Sequence, residues 1–141
     1  MTGYDRSLYQ TYLHSIPMFA SCTTEQIDHL AQLGDAITKT DGDIIVREGD
    51  TGDTFFVVTS GKVRVTRGDR EIASIGAGDY FGELALFDPA PRNATITAIG
   101  PVSLVSLSRT AFTAALDEMP SLRDALLQGM ARRIHQLDQR V

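Results

Sequence analysis

The chain has 141 residues, 43% of them apolar and 22% charged, with a formal net charge of −5. That is the balance of an ordinary globular domain with one hydrophobic core, and its acidity argues against a nucleic-acid surface, which needs clustered lysine and arginine. A single cysteine, Cys22, rules out a disulfide within the chain and fits a reducing compartment, and no apolar run approaches the roughly 20 residues of a membrane-spanning helix.

The first residues, Thr2-Gly3-Tyr4-Asp5-Arg6, contain neither a basic nor an apolar signal region, so the expected location is cytoplasmic. From Tyr4 to Leu33 the apolar residues recur at helical spacing: Leu8, Tyr12 and Leu13, then Ile27, Leu30, Ala31 and Leu33. Two helices are expected, interrupted at Ile16-Pro17-Met18-Phe19. The run from Ser21 to Gln26 supplies a hydroxyl cap followed by a glutamine at the start of the second. Phe19 reads as a core residue.

Between Ala36 and Leu107 the apolar period falls to two, and turn residues recur at Asp41-Gly42-Asp43, Glu48 to Asp53, Ser60-Gly61, Arg67-Gly68-Asp69, Gly76 to Asp79 and Gly100-Pro101. Strands are predicted at 44–46, 55–58, 63–65, 72–75, 95–99 and 102–107, with shorter ones near Ala36 and Tyr80. That makes about eight strands and implies a β sandwich or roll. After Arg109 the helical period returns. Phe112, Ala115 and Leu116 predict a helix stopped at Met119-Pro120. Ser121 is expected to cap a last helix with a stripe through Leu122, Ala125, Leu126, Gly129, Met130, Arg133, Ile134 and Leu137.

The most informative segment runs from Phe81 to Thr95. Gly82 precedes the apolar run Leu84-Ala85-Leu86, where a short helix would begin. The first amides of a helix lack partners and carry partial positive charge, so this end favours an anion, and a glycine lets a ligand oxygen approach the backbone. Pro89 and Pro91 are expected to stop the helix and deliver Arg92 on a stiff arm. The guanidinium of Arg92 is a planar fork matched to phosphate or carboxylate, while Glu83 suits a hydroxyl donor. The segment therefore reads as a pocket for a small anion that also carries hydroxyls. A plain Glu83–Arg92 surface ion pair would explain neither the glycine nor the two prolines.

These residues resemble the phosphate-binding cassette of cyclic nucleotide-binding domains: Phe-Gly-Glu-Leu/Ile-Ala-Leu, a short variable stretch, then Pro-Arg, a small residue, Ala and Thr or Ser. The turns Arg47-Glu48-Gly49-Asp50 and Ser60-Gly61-Lys62-Val63-Arg64-Val65, and the helical lead-in with its Pro-Met-Phe step, are similar to the same family, so the resemblance covers nearly the whole chain. It implies an α+β, mainly β fold: an eight-stranded roll with N-terminal helices and two C-terminal helices. The whole of 1–141 would be one domain, with a helical lead-in at 1–35, the roll at 36–108 holding the cassette at 81–95, and hinge and lid helices at 109–141.

The resemblance further implies that Glu83 holds the ribose 2′-hydroxyl, Arg92 an exocyclic phosphate oxygen, and the backbone of Gly82, Leu84 and Ala85 the rest of the phosphate, with Phe81 and Ala94 completing the cassette. Asn93 departs from the usual alanine, serine or threonine at a position associated with guanine contact, which leaves the choice between cAMP and cGMP open. Val65 and Ile72 would line the base, and Met130, Arg133, Ile134 and Leu137 are candidates for the lid. The same stripe would equally serve dimerisation, contact with a downstream effector domain or core packing.

An enzyme on such a roll would need clustered imidazoles for a metal, and His14, His29 and His135 all fall in predicted helices outside it. No Gly-x-Ser-x-Gly turn or Walker-type phosphate loop is present. The expectation is a non-catalytic cyclic nucleotide sensor without a metal, bound to neither nucleic acid nor membrane, that couples its ligand to movement of the C-terminal helices. A ligand-free structural or dimerisation module of the same fold is the alternative.

Overall fold

Helical periodicity at both ends of the chain and a twofold period between them give, in the computed structural model, helices flanking a roll of strands. Residues 6–138 are described, without the side chains of residues 133 and 135–138. The helices are α1 (Arg6–Ser15), α2 (Thr24–Ala31), α3 (Arg109–Glu118) and α4 (Pro120–Asp138), with a 3-10 turn at Pro17–Phe19 between the first two. The strands are β1 (Asp35–Lys39), β2 (Ile44–Val46), β3 (Thr51–Gly52), β4 (Thr54–Arg67), β5 (Arg70–Gly76), β6 (Tyr80–Phe81), β7 (Ala90–Pro91) and β8 (Thr95–Ser108). A second 3-10 turn, Glu83–Leu86, lies between β6 and β7.

Every pairing is antiparallel. The larger sheet runs β1-β8-β4-β5, with β2 also on β8 and β6 also on β4, while β3 and β7 form a separate two-stranded ribbon. Eight strands were expected, but they divide differently. The predicted 55–58 and 63–65 segments are one strand, β4, and 95–99 and 102–107 are likewise one strand, β8. The turn signals Ser60-Gly61 and Gly100-Pro101 are kinks inside these strands, where the pairing register shifts near Ser60 and both glycines have positive φ. The added strands are β3, within an expected turn, and β7, where Pro91 sits in a ribbon strand instead of merely ending a helix. At the C-terminal end, Pro120 begins α4 and Ser121 lies inside it. Proline suits a first helical position because its missing N–H would be unpaired there anyway. The Ser121 hydroxyl instead accepts a bond from Gln26 Nε2 at 3.1 Å.

The chain divides into two compact units. Gly34–Arg109 forms one; both ends of the chain, 6–33 and 110–138, form the other. Phe56, Val58, Val63, Ile96, Ala98, Val102 and Leu104 form a buried cluster in the first, with Ile37, Ile45, Val46, Val65, Ile75 and Phe81 packed at its margin. Phe56 stacks on Phe81 at 5.0 Å between centroids, and Phe55 meets Tyr80 edge-on at 6.1 Å, so β6 is held to β4 by both rings. In the second unit Tyr9, Leu13, Phe19, Ile27, Leu30, Phe112 and Leu122 are buried. The α2 start is a reciprocal capping box: Thr23 Oγ1 accepts the Gln26 amide at 3.2 Å and Gln26 Oε1 accepts the Thr23 amide at 2.8 Å.

Candidate functional site

The site is assembled where β6 gives way to the 3-10 turn. Gly82 has φ 82°, a left-handed conformation that reverses the chain immediately before Glu83. The turn closes through Ala85 N to Gly82 O at 3.1 Å and Phe87 N to Leu84 O at 3.1 Å, which leaves the leading amides without a helical acceptor. Ala85 and Leu86 are buried and anchor the turn, while Leu84 is 70% exposed. This turn, β7 and the residues after it border an open cavity of about 420 Å³ lined by Phe81, Gly82, Glu83, Leu84, Ala85, Arg92 and Asn93, together with Tyr80, Asp88, Ala90 and Pro91.

Arg92 is fixed from several directions. Its amide donates to Asp50 O and its carbonyl accepts from Gly49 N, both at 2.8 Å, which continues the β3–β7 ribbon. Arg67 Nε donates to Asn93 O at 2.9 Å, tying the β4–β5 hairpin to the next peptide. The guanidinium is half-buried, and its Nη2 donates to Thr54 O at 2.7 Å. Burial pulls the Arg92 pKa below the ordinary arginine value, and the charge of Asp53 partly opposes that pull. The group remains a cation at neutral pH. Among the described residues Arg92 forms no ion pair with Glu83, so the loop-stapling salt bridge weighed for these two residues is not formed. A second cavity, about 340 Å³, lies against Arg92 and is lined by Ile44, Ile45, Asp50, Asp53, Thr54 and Phe56 among others.

Phe81, Gly82, Glu83, Leu84, Ala85, Arg92 and Asn93, singled out in the sequence, thus line one cavity, and Ala94, Val65 and Ile72 do not. Ala94 is buried. Val65 packs at the margin of the roll core, and Ile72 is 43% exposed on β5, at the register shift that follows the Val65–Ala73 pair. Neither lines the cavity. The Arg133 side chain falls outside the described residues, as does that of Leu137. Sequence reasoning missed Asp88, Tyr80 and the surroundings of Arg92. Thr54 acts there through its carbonyl, which has no signature, whereas Gly52 and Asp53 stood within a recognised glycine-rich turn.

Among the described residues no group of three or more His, Cys, Asp and Glu side chains is placed to hold a metal, and no helix is long and apolar enough to cross a membrane. His14 Nε2 lies 3.0 Å from Cys22 O, and His29 Nε2 lies 3.6 Å from Glu118. Both interactions belong to the helical unit.

Residues 38–119 match the family model described as the cyclic nucleotide-binding domain. The chain is 32% identical over 117 residues to a cAMP-dependent protein kinase regulatory subunit of Hypocrea atroviridis, covering 83% of this chain and 25% of that protein. It is 37% identical over 119 residues to the cGMP-dependent protein kinase egl-4 of Caenorhabditis briggsae, covering 79% and 16%. It therefore spans a quarter or less of the length of these two relatives. Among solved structures, the N-terminal domain of a transcriptional regulator from Streptomyces coelicolor A3(2) superposes with a TM-score of 0.84 at 36% identity, covering 91% of this chain and 95% of that one. The regulatory domain of Toxoplasma gondii PKA, crystallised with cAMP, gives 0.69 at 32% identity, covering 90% and 50%.

Proposed function

Because this chain belongs to the cyclic nucleotide-binding domain family, we propose that it is a sensor that binds a cyclic nucleotide, cAMP first and cGMP second, against the 81–93 segment. The observation that carries this reading is Arg92: a desolvated, half-buried guanidinium, held by a carbonyl and facing a cavity that also contains Glu83 and the amides of the 3-10 turn. A cyclic phosphodiester brings a negative charge into contact with a cation that makes no ion pair among the described residues, and its ribose brings a hydroxyl whose hydrogen bond Glu83 accepts. Gly82, Leu84 and Ala85 contribute backbone to the phosphate, Phe81 and Ala94 frame the cassette, and Asn93 offers both donor and acceptor to a purine. Val65 and Ile72 form the base side on the β4–β5 hairpin, and Arg133 is the lid candidate on α4. The order of ligands follows the relatives: regulatory subunits of cAMP-dependent kinases recur among them, and a cGMP-dependent kinase is also present.

The output is a shift in the arrangement of the helices from Arg109 onward. Asp53 O accepts the amide of Arg109 at 2.9 Å, so the loop beside Arg92 also holds the first residue of α3. A ligand that repositions that loop favours one setting of α3 over another by its differential affinity for the two. The protein acts as a regulatory, non-catalytic module over the whole of 1–141, without a metal and away from nucleic acid and membrane, in the cytoplasm. Its partners are a second copy or an effector domain reached through the last helix.

Calorimetric titration with cAMP and cGMP, beside thermal melts, tests this. Binding should raise Tm with ligand concentration, and Arg92→Ala should weaken affinity by about 100-fold or more, since it strips at least two charge-assisted hydrogen bonds from the phosphate. Equal affinity in wild type and variant would refute the assigned site. Sedimentation that showed a nucleotide-independent dimer and no binding would favour the ligand-free module.

A further inference from the structure

Gly52 stands in β3, where it pairs with Ala90, and unlike seven other glycines of the chain it does not have positive φ. Its backbone is one that any residue adopts, so conformational freedom does not explain the glycine. Space does. A Cβ built at Gly52 would lie 2.0 Å from Nε of Arg92, 2.3 Å from Cζ and 2.5 Å from Nη2. On the other side, a Cβ at Gly82 would lie 2.5 Å from Nη1 of the same guanidinium. The Arg92 head therefore occupies a slot walled by two missing side chains, with Thr54 O as its hydrogen-bond acceptor.

We propose that Gly52 is a positioning residue for the anion site: its absent side chain is the space in which the Arg92 guanidinium lies flat and aimed at the cavity. The role rests on the reading of Arg92 as the phosphate-binding cation. The two walls are not equivalent. Gly82 is also required by its φ of 82° and by the backbone, since a Cβ there would come within 2.8 Å of Thr54 O. At Gly52 the three nearest atoms all belong to the arginine side chain. An added methyl at Gly52 would therefore be relieved by swinging that side chain out, at little expense to the fold but at the expense of its aim.

Gly52→Ala separates these effects. The variant should melt close to wild type while its affinity for cAMP falls about 10-fold or more, the loss of at least one charge-assisted hydrogen bond. In an Arg92→Ala background the same substitution should change affinity by less than about twofold, because the two substitutions act through one group. In the ligand-free protein, the Arg92 Nε–Hε resonance, assigned by its disappearance in Arg92→Ala, should move in Gly52→Ala. Wild-type affinity in Gly52→Ala overturns the proposal, as does an equal loss with and without Arg92. If wild type binds no cyclic nucleotide, the reading of the site fails instead, and the resonance decides the slot by itself: an unmoved Nε–Hε signal overturns it.

Discussion

Arg92 is held on its backbone by the Gly49–Asp50 turn and on its side chain by Thr54, and this dictates what a conservative change would do. Arg92→Lys should recover only part of the affinity lost in Arg92→Ala, because an ammonium brings charge without the planar fork. Titration calorimetry across the three proteins ranks them. Removing Glu83 should reduce affinity less than removing Arg92, and the loss should shrink for a 2′-deoxy cyclic nucleotide, which has no hydroxyl for the carboxylate to accept. Cys22 illustrates the opposite environment. It is buried, and desolvation pushes its thiol up to about 11. A folded-state pKa above the unfolded one means that the unfolded chain gives up this proton first. The contribution to stability is constant below about pH 9 and declines toward pH 11. Cys22→Ala should flatten that part of the Tm profile, and a thiol reagent at pH 8 should label wild type only after denaturation.

Among the elements, α2 depends most visibly on a single residue. Thr23→Ala removes the hydroxyl that accepts the Gln26 amide, while the backbone amide at 23 can still donate to Gln26 Oε1, and should cost about 1 kcal/mol, measured as a lower midpoint in urea with an unchanged slope. This cap was legible because a hydroxyl followed three residues later by glutamine is a local signature. The strand boundaries were legible only in part, for a physical reason. Gly61 and Gly100 do adopt left-handed φ, as turn signals suggest. Whether a ladder stops at such a residue or passes through it depends on the facing strand. Gly61 sits so close to Pro101 O that a Cβ would be 2.4 Å from it, so a kink in β4 nests against the bend in β8 and the pairing resumes beyond. The β3–β7 ribbon was invisible for a related reason. Its two-residue strands lie about 40 positions apart and contain Thr, Gly, Ala and Pro, with no alternation to report them. The cassette could be read because glycine, carboxylate, prolines and arginine are close in sequence. Gly52 could not be assigned to it, since its relation to Arg92 exists only in three dimensions.

At the scale of the molecule, the helical unit is made from both ends of the chain, and their meeting point is Gly129. A Cβ there would lie 2.7 Å from Met18 O and 3.5 Å from Pro17 O, so α4 runs hard against the 3-10 turn after α1. Gly129→Ala must push backbone from backbone and should destabilise the protein by about 1 to 3 kcal/mol, the usual cost of overpacking. Thermal melting with and without saturating cAMP would check this. The drop in Tm should appear in both, because the contact lies within the helical unit and involves none of the residues of the 81–93 segment.

The same arrangement fixes an order of events during biosynthesis. Met18 leaves the ribosome more than a hundred residues before Gly129 does, and at about 5 to 20 residues per second the amino-terminal helices wait several seconds for the helix that completes their packing. Within that interval β8, the partner of β1, β2 and β4, is complete by Ser108, before Gly129 is made, so the strands can pair ahead of the last helix. The roll can therefore mature first as a nascent intermediate, with the terminal helices closing last.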